Sequence, residues 1–363
     1  CKTIGLIVSS MKIYFKKNKI LDSIPRKFYA DWIKPLFPDL RHEIYGIRKQ
    51  DLVLSENPEN ADLLILPLTW NYYFEYGQTD EAKEILKYYE KLNKPIITWV
   101  SGDYTHMIQD GNFILLQHNL YRSRQKNYEF AYPVIIRDPF DYLNLFGVDI
   151  ASDFKKNSIS FCGTANWTLL NSYESFLKEL FFKIKNKIFN PHLDLSSPVG
   201  GMQLRGRLLK SFDQNTNLET NLVIRNRKDS QLISKRKYKF EYWDNMLSTP
   251  FTICIRGNGN FSVRFYETLA IGRIPILIDT DCVLPFDNEI NWNEHCIMIK
   301  NTDSKTIAES VSILINNMDD SDILNMQRAN RKLWIDKLSF SGFYYSFTKK
   351  VLKKIHINDV SVG

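Results

Sequence analysis

The segment 251–278 constrains this chain more than any other. An apolar run, Phe251-Thr252-Ile253-Cys254-Ile255, leads into a glycine-rich turn, a helical stretch over 262–271 and a second apolar run over 274–278. Strand, turn, helix and strand in that order make a βαβ unit, the building block of parallel sheets. The alternation recurs upstream. Strands are expected at 4–8, 63–67, 95–100, 113–116, 133–136 and 158–162. Helices are expected at 26–34, 80–92, 170–183, 239–247 and 343–354, the 80–92 helix with Thr79 as its cap. The stretch from the end of the 170–183 helix to Lys235 carries little pattern, and 190–201, with two prolines and two glycines, reads as a loop.

At 363 residues the chain is longer than one hydrophobic core supports. The expected class is α/β, with domains at 1–155 and 156–340 and a last segment, 341–363, that crosses back to the first domain. The runs Leu63-Leu64-Ile65-Leu66 and Ile96-Ile97-Thr98-Trp99-Val100 are almost wholly apolar, as strands covered on both faces must be. Ligands in open α/β sheets gather beyond the carboxyl ends of strands, which singles out 69–71 and 101–106 in the first half.

A formal charge of +7 favours an anionic partner, and the chain carries no nucleic-acid reading motif. Much of the excess lies in Arg225-Asn226-Arg227-Lys228 and Lys235-Arg236-Lys237-Tyr238-Lys239, which read as solvated faces. The five cysteines, Cys1, Cys162, Cys254, Cys282 and Cys296, are widely spaced and lack metal-ligand spacing, so they read as reduced thiols in a cytoplasmic protein. A start at Cys1 suggests that residues were trimmed ahead of it. Peripheral contact with a membrane is left open through Lys349, Lys350, Lys353 and Lys354.

The turn carries the chemistry. It reads Arg256-Gly257-Asn258-Gly259-Asn260-Phe261, and Ser262 stands where a helix cap belongs, ahead of Arg264 and Glu267. Glycines admit close approach of the backbone, and a helix start offers free N–H groups and a positive dipole end, so the turn suits phosphate. An arginine there can hold two phosphate oxygens, and a carboxylate one turn on can accept from a ribose diol. The plain alternative is a helix-surface ion pair between Arg264 and Glu267. Another is a dinucleotide-binding oxidoreductase, since Gly257 and Gly259 after a strand, with Asp279 or Asp281 about twenty residues on, mimic that fingerprint without its third glycine.

The run Phe251-Thr-Ile-Cys-Ile-Arg-Gly-Asn-Gly-Asn-Phe-Ser-Val-Arg-Phe-Tyr-Glu-Thr-Leu-Ala-Ile-Gly-Arg-Ile-Pro-Ile-Leu resembles the exostosin family of glycosyltransferases, and the likeness continues through Asp279, Leu284-Pro285-Phe286 and Ile290-Asn291-Trp292. Fainter echoes are Ser160-Phe161-Cys162-Gly163 and Leu204-Arg205-Gly206-Arg207-Leu208. The resemblance implies a GT-B fold of two Rossmann-like domains facing a cleft, and inverting transfer from a UDP-sugar to a glycan or glycoconjugate without a metal or other cofactor. It maps the donor site onto Ser262, Arg264 and Glu267, beside Arg256, Gly257, Asn258, Gly259, Asn260 and Tyr242, whose ring is placed either to stack on uracil or in the core.

Inversion also needs a base for the acceptor hydroxyl. Asp103 is the first candidate, with His106 and His118 as alternatives, and the plain reading of each is a loop or core residue. Trp292 and Asn291 read as packing and turn residues. A non-catalytic glycan-binding protein that kept the fold is a further alternative.

Overall fold

Apolar runs without polar alternation become the inner strands of two parallel sheets, because helices cover such strands on both faces. The computed structural model describes residues 11–17, 23–37, 46–47, 52–145, 154–165, 169–194, 200–225, 235–300 and 303–360. The expected strand at 4–8, Cys1 and the basic residues 226–228 lie outside them.

The first half contains β1 (Lys12–Tyr14), β2 (Val53–Leu54), β3 (Leu63–Ile65), β4 (Ile96–Trp99), β5 (Thr105–His106), β6 (Ile114–Gln117) and β7 (Glu129–Ala131). Six of these form one sheet in the order β2-β1-β3-β4-β6-β7, every pairing parallel. Helices α1 (Trp70–Glu75) and α2 (Thr79–Glu90) follow β3, and α3 (Pro139–Leu143) leads out of this half.

The second half contains β8 (Ser158–Thr164), β9 (Leu193–Asp194), β10 (Glu219–Arg225), β11 (Phe251–Cys254), β12 (Ile274–Ile278) and β13 (Ile297–Ile299). Its sheet runs β10-β8-β11-β12-β13, again parallel throughout. The small ribbon β5-β9 is antiparallel and joins the two halves. Between the strands lie α4 (Leu169–Phe189), α5 (Gly201–Asp213), α6 (Lys235–Leu247) and α7 (Val263–Ala270). The chain ends in α8 (Ile307–Asn316), α9 (Asp320–Leu333), a π-helical turn over Trp334–Leu338, and α10 (Phe340–Val360). Phe340, Phe343, Tyr344 and Phe347 of α10 are buried in the first core, against Trp32, Tyr132 and Phe286.

Five local expectations are corrected. Residues 133–136 are not a strand: Tyr132 N–H makes the last ladder bond to Gln117 O at 2.9 Å, and Pro133 has no N–H to continue it. The segment 26–34 is two 3-10 turns, Arg26–Phe28 and Asp31–Leu36, because Tyr29 and Ala30 between them bridge to Leu68 and Pro67. Thr79 is the first residue of α2, and Gln78 occupies the cap position without a side-chain capping bond. The stretch thought patternless holds both α5 and β10, its helical signal diluted by Gly201 and Gly206. Arg225 is not solvated, since it is 4% exposed and donates to Glu241 at 2.5 Å and to Tyr238 O at 3.3 Å.

The two halves are bonded along one seam. Arg122 donates to Asp279 at 3.2 Å and to Cys282 O at 2.7 Å, and Ser123 N–H donates to Asp281. Further along, Arg331 of α9 clasps Asp138 through two bonds of 2.9 and 2.7 Å and also donates to Ala270 O, while Asp138 caps α3 through Phe140 N–H. Removing one partner of such a part-buried pair strands the other charge. Asp138→Ala should therefore lower unfolding stability by about 2–4 kcal/mol, measured by urea denaturation. A change under about 0.5 kcal/mol would show the clasp to be an ordinary surface pair.

Candidate active site

α7 starts beyond the carboxyl end of β11, and Arg264 in its first turn points back under the sheet. Its Nη2 donates to Cys162 O at 2.5 Å, and its Cζ lies 4.2 Å from the centre of the Phe161 ring. That position exists because residue 163 is glycine: a Cβ there would stand 2.6 Å from Arg264 Nη2. Arg264 is 6% exposed, and its Nε has no partner.

Glu267, one turn on, accepts from the Tyr242 hydroxyl at 2.5 Å. Burial raises its carboxyl above the usual range, against the opposing pull of Tyr242 and Arg264. The helix-surface ion pair, the plain alternative for these two residues, is thus not formed. Arg264 is spent on a backbone carbonyl and Glu267 on a tyrosine. Tyr242 braces that carboxylate and packs edge-on against Trp243 at 5.7 Å.

Sequence reasoning missed a third arginine. Arg205 of α5 donates to Ile255 O at 3.1 Å and to Thr164 O at 3.4 Å. Burial, with Arg264 and Arg256 nearby, brings it down to about 10. Its only signal was the Leu204–Leu208 echo. Gly201, where α5 begins, is pressed against the turn so closely that a Cβ would meet Gly257 O at 1.9 Å. Arg256 is 6% exposed and reaches Gly257 O and Asn258 O at 3.2 and 3.4 Å. Burial lowers it as well.

The remaining turn residues divide by role. Ser262 holds the cap position of α7, but it makes no capping bond, and its hydroxyl is buried without a partner. Asn260 is a latch: its N–H donates to Asn119 Oδ1 at 2.6 Å, its amide donates to Leu120 O at 2.9 Å, and it accepts from Thr280 at 2.6 Å. Its side chain is fully taken by the seam. Asn258 is exposed. Asp279 and Asp281, which the dinucleotide fingerprint would need for a ribose, are both committed to the seam, so that reading lacks its acid.

From the first half, exposed Asp103 follows Gly102, which has φ of +94°, and its carbonyl lies 3.0 Å from where a Cβ on Gly259 would stand. His118 also reaches the turn, with its ring 5.4 Å from that of Phe261 and Nδ1 2.8 Å from Tyr132 O. Burial lowers its pKa. His106 is taken up by packing, stacked on Phe74 at 4.9 Å and on His192 at 5.2 Å, and held by Asn71 at 3.0 Å. Trp292 packs on Phe265 at 5.5 Å, and Asn291 bonds Glu294 at 2.8 Å. Cys162, Cys254, Cys282 and Cys296 are buried free thiols, and no metal-suited group of His, Cys, Asp or Glu occurs among the described residues.

Two Rossmann-like halves, with a phosphate-suited helix start at the carboxyl end of the second sheet, agree with the expected GT-B architecture. Residues 185–314 match the Exostosin GT47 domain. An exostosin-1 homolog of Caenorhabditis elegans is 34% identical over 71 residues, covering 20% of this chain and 19% of that protein. A probable glucuronosyltransferase 47 A of Physcomitrium patens is 23% identical over 324 residues, covering 84% of this chain and 66% of that protein. This chain thus spans a fifth of the first relative's length and just under two thirds of the second's. The crystal structure of Anabaena HepE in complex with UDP aligns over 97% of this chain and 100% of that one, at 7% identity and a TM-score of 0.38.

Burial, followed by the repulsion of His192, lowers the His106 pKa from 6.5 to about 4. The unfolded chain therefore binds this proton first as pH falls. Stability is complete above 6.5 and is lost through about 4, by as much as about 3 kcal/mol. Urea midpoints across that window should fall less steeply for His106→Phe than for the parent. An unchanged slope assigns the acid sensitivity to other groups.

Proposed function

We propose that this protein is an inverting, metal-independent glycosyltransferase that moves a sugar from a UDP-sugar to a hydroxyl of a glycan or glycoconjugate acceptor. One observation carries the reading. Arg264 is a buried cation and Arg205 a half-buried one, both bonded to backbone carbonyls with no carboxylate at ion-pair distance among the described residues, and they lie beside a helix start whose Ser262 hydroxyl lacks a partner. Such a site is electrostatically incomplete, and a diphosphate completes it.

In this reading Arg264 and Arg205 take the diphosphate, the first N–H groups of α7 and the Ser262 hydroxyl add donors, and Glu267 accepts from the ribose diol. Asp103, opposite Gly259, takes the acceptor's proton. The acceptor oxygen bonds to the anomeric carbon as the bond from that carbon to the phosphate oxygen breaks. The electron pair of that bond leaves with UDP, and the carbon inverts. Negative charge grows on the departing phosphate, where guanidinium groups and amides already point, so the leaving group needs no metal ion.

Arg264→Gln and Glu267→Ala should each weaken UDP binding by about 10–100-fold in titration calorimetry, with unfolding curves unchanged in shape. Gly163→Ala should act in the same direction while keeping the fold, since its Cβ would clash with the movable end of Arg264 and otherwise make ordinary contact with the Phe161 ring. Unaltered affinity in all three would sink the donor assignment.

Asp103→Asn should keep parental UDP affinity and lose about 10²–10⁴ in turnover of an accepted donor and acceptor pair. Near-parental turnover would remove Asp103 as the base and turn attention to His118. Parental UDP binding in a protein without transfer to any glycan acceptor would favour a non-catalytic binding protein.

A further inference from the structure

α4 turns an apolar stripe to the outside. Tyr173, Phe176, Leu180, Phe181, Ile184 and Ile188 recur at helical spacing, and each is at least 45% exposed, with Phe181 at 69% and Ile188 at 67%. Helices on a globular surface ordinarily put such a stripe against the core. Here the inward side is occupied by other residues: Phe182 stacks on Tyr104 at 5.1 Å, and Asn186 donates to Phe182 O at 2.8 Å. Beyond the end of the helix, Met107 is 61% exposed, and its N–H bonds His192 O at 2.7 Å, which extends the apolar surface.

Charge says what suits this stripe. Residues 169–189 include Lys178, Lys183, Lys185 and Lys187 against Glu174 and Glu179, and Glu179 is paired with Lys183 at 3.2 Å. At about 100° per residue, Lys178 and Lys185 run along one edge of the stripe and Lys183 and Lys187 along the other. An apolar band with ammonium groups on both flanks matches an interfacial helix: the band enters the boundary between headgroups and acyl chains, and the lysines reach back to anionic headgroups. The charged residues bar α4 from crossing a bilayer, and no helix among the described residues is long and apolar enough to do so.

We propose that α4 docks this protein flat on an anionic lipid bilayer. A two-fold pairing of α4 with a second copy would set lysine edge against lysine edge, with few acids to offset them, whereas an anionic surface neutralises both edges together. Because Tyr104 neighbours Asp103 and rests on Phe182, docking would bring the Asp103 side of the cleft close to the bilayer.

The test is sedimentation of the protein with vesicles of phosphatidylcholine alone and of phosphatidylcholine with phosphatidylserine. The expected result is binding to the second and little to the first. The double variant Lys185→Ala with Lys187→Ala should weaken it by about thirtyfold. Phe181→Asp with Ile188→Asp should abolish it. All four side chains are exposed, so UDP affinity should stay at the parental value in both variants and report an intact fold. Absence of vesicle binding in the parent, or binding unaffected by Phe181→Asp with Ile188→Asp, overturns the proposal. A concentration-dependent dimer that the same pair disperses, in a parent that ignores vesicles, overturns it in favour of self-association.

Discussion

The contact between Arg264 and the carbonyl of Cys162 organises the second half of the molecule. It buries a guanidinium at the carboxyl end of β8, in space that exists because Gly163 has no side chain, and it faces the cation with Phe161. Isolated buried charges cost several kcal/mol, and a single carbonyl with one aromatic face offsets only part of that. Arg205 repeats the arrangement from the other side, held by Ile255 O and Thr164 O. The carboxyl ends of β8 and β11 thus supply the dipoles that keep two like charges near each other. That configuration costs stability in the free protein, a cost that the proposed anion site would offset on binding.

Holding two repelling groups in place requires a rigid frame. Gly201 seats the start of α5 against Gly257, so neither the turn nor the helix can shift alone. Asn260 then ties the turn to Asn119 and Leu120 of the first half, and Thr280 completes the amide's bonding. α10 carries Phe343 and Phe347 into the first core, where they meet Phe286 from the second. The cleft floor is therefore a bonded seam. What faces Asp103 across it is fixed by the same residues that fix the phosphate-suited turn.

Much of this was legible in the sequence, and the reason is local. The β11, α7 and β12 unit is contiguous, its strands are wholly apolar, and its turn concentrates glycines with Arg264 and Glu267 within a dozen residues. The losses have equally particular causes. Arg205 lies more than fifty residues upstream, in a helix whose glycines lower its propensity and which packs against a distant turn. Asn260 looked like a ligand contact because it sits in the glycine-rich turn; only the tertiary fold reveals Asn119 and Thr280 beside it. His106 has the right residue type at the end of a strand, yet two aromatic rings and Asn71 claim it. Pro133 ends the ladder after β7, where hydrophobicity placed a strand over 133–136. Periodicity reported elements, and pairings across the seam stayed hidden from it.

The choice of arginine over lysine has a consequence for how such a site responds to pH. A buried lysine readily loses its proton, whereas a guanidinium keeps its charge, and even Arg205, brought down to about 10, remains a cation at neutral pH. The positive side of the site is therefore constant across the physiological range. The carboxylate side is not, because burial lifts Glu267 above the usual range while Tyr242 and Arg264 hold it back. As pH falls, Glu267 takes a proton sooner than an exposed glutamate would and loses its capacity to accept from a ribose diol on that oxygen. On the proposed donor-site reading, acid would then weaken a ribose contact while leaving phosphate contacts intact, so the two ends of one nucleotide would respond differently to the same titration.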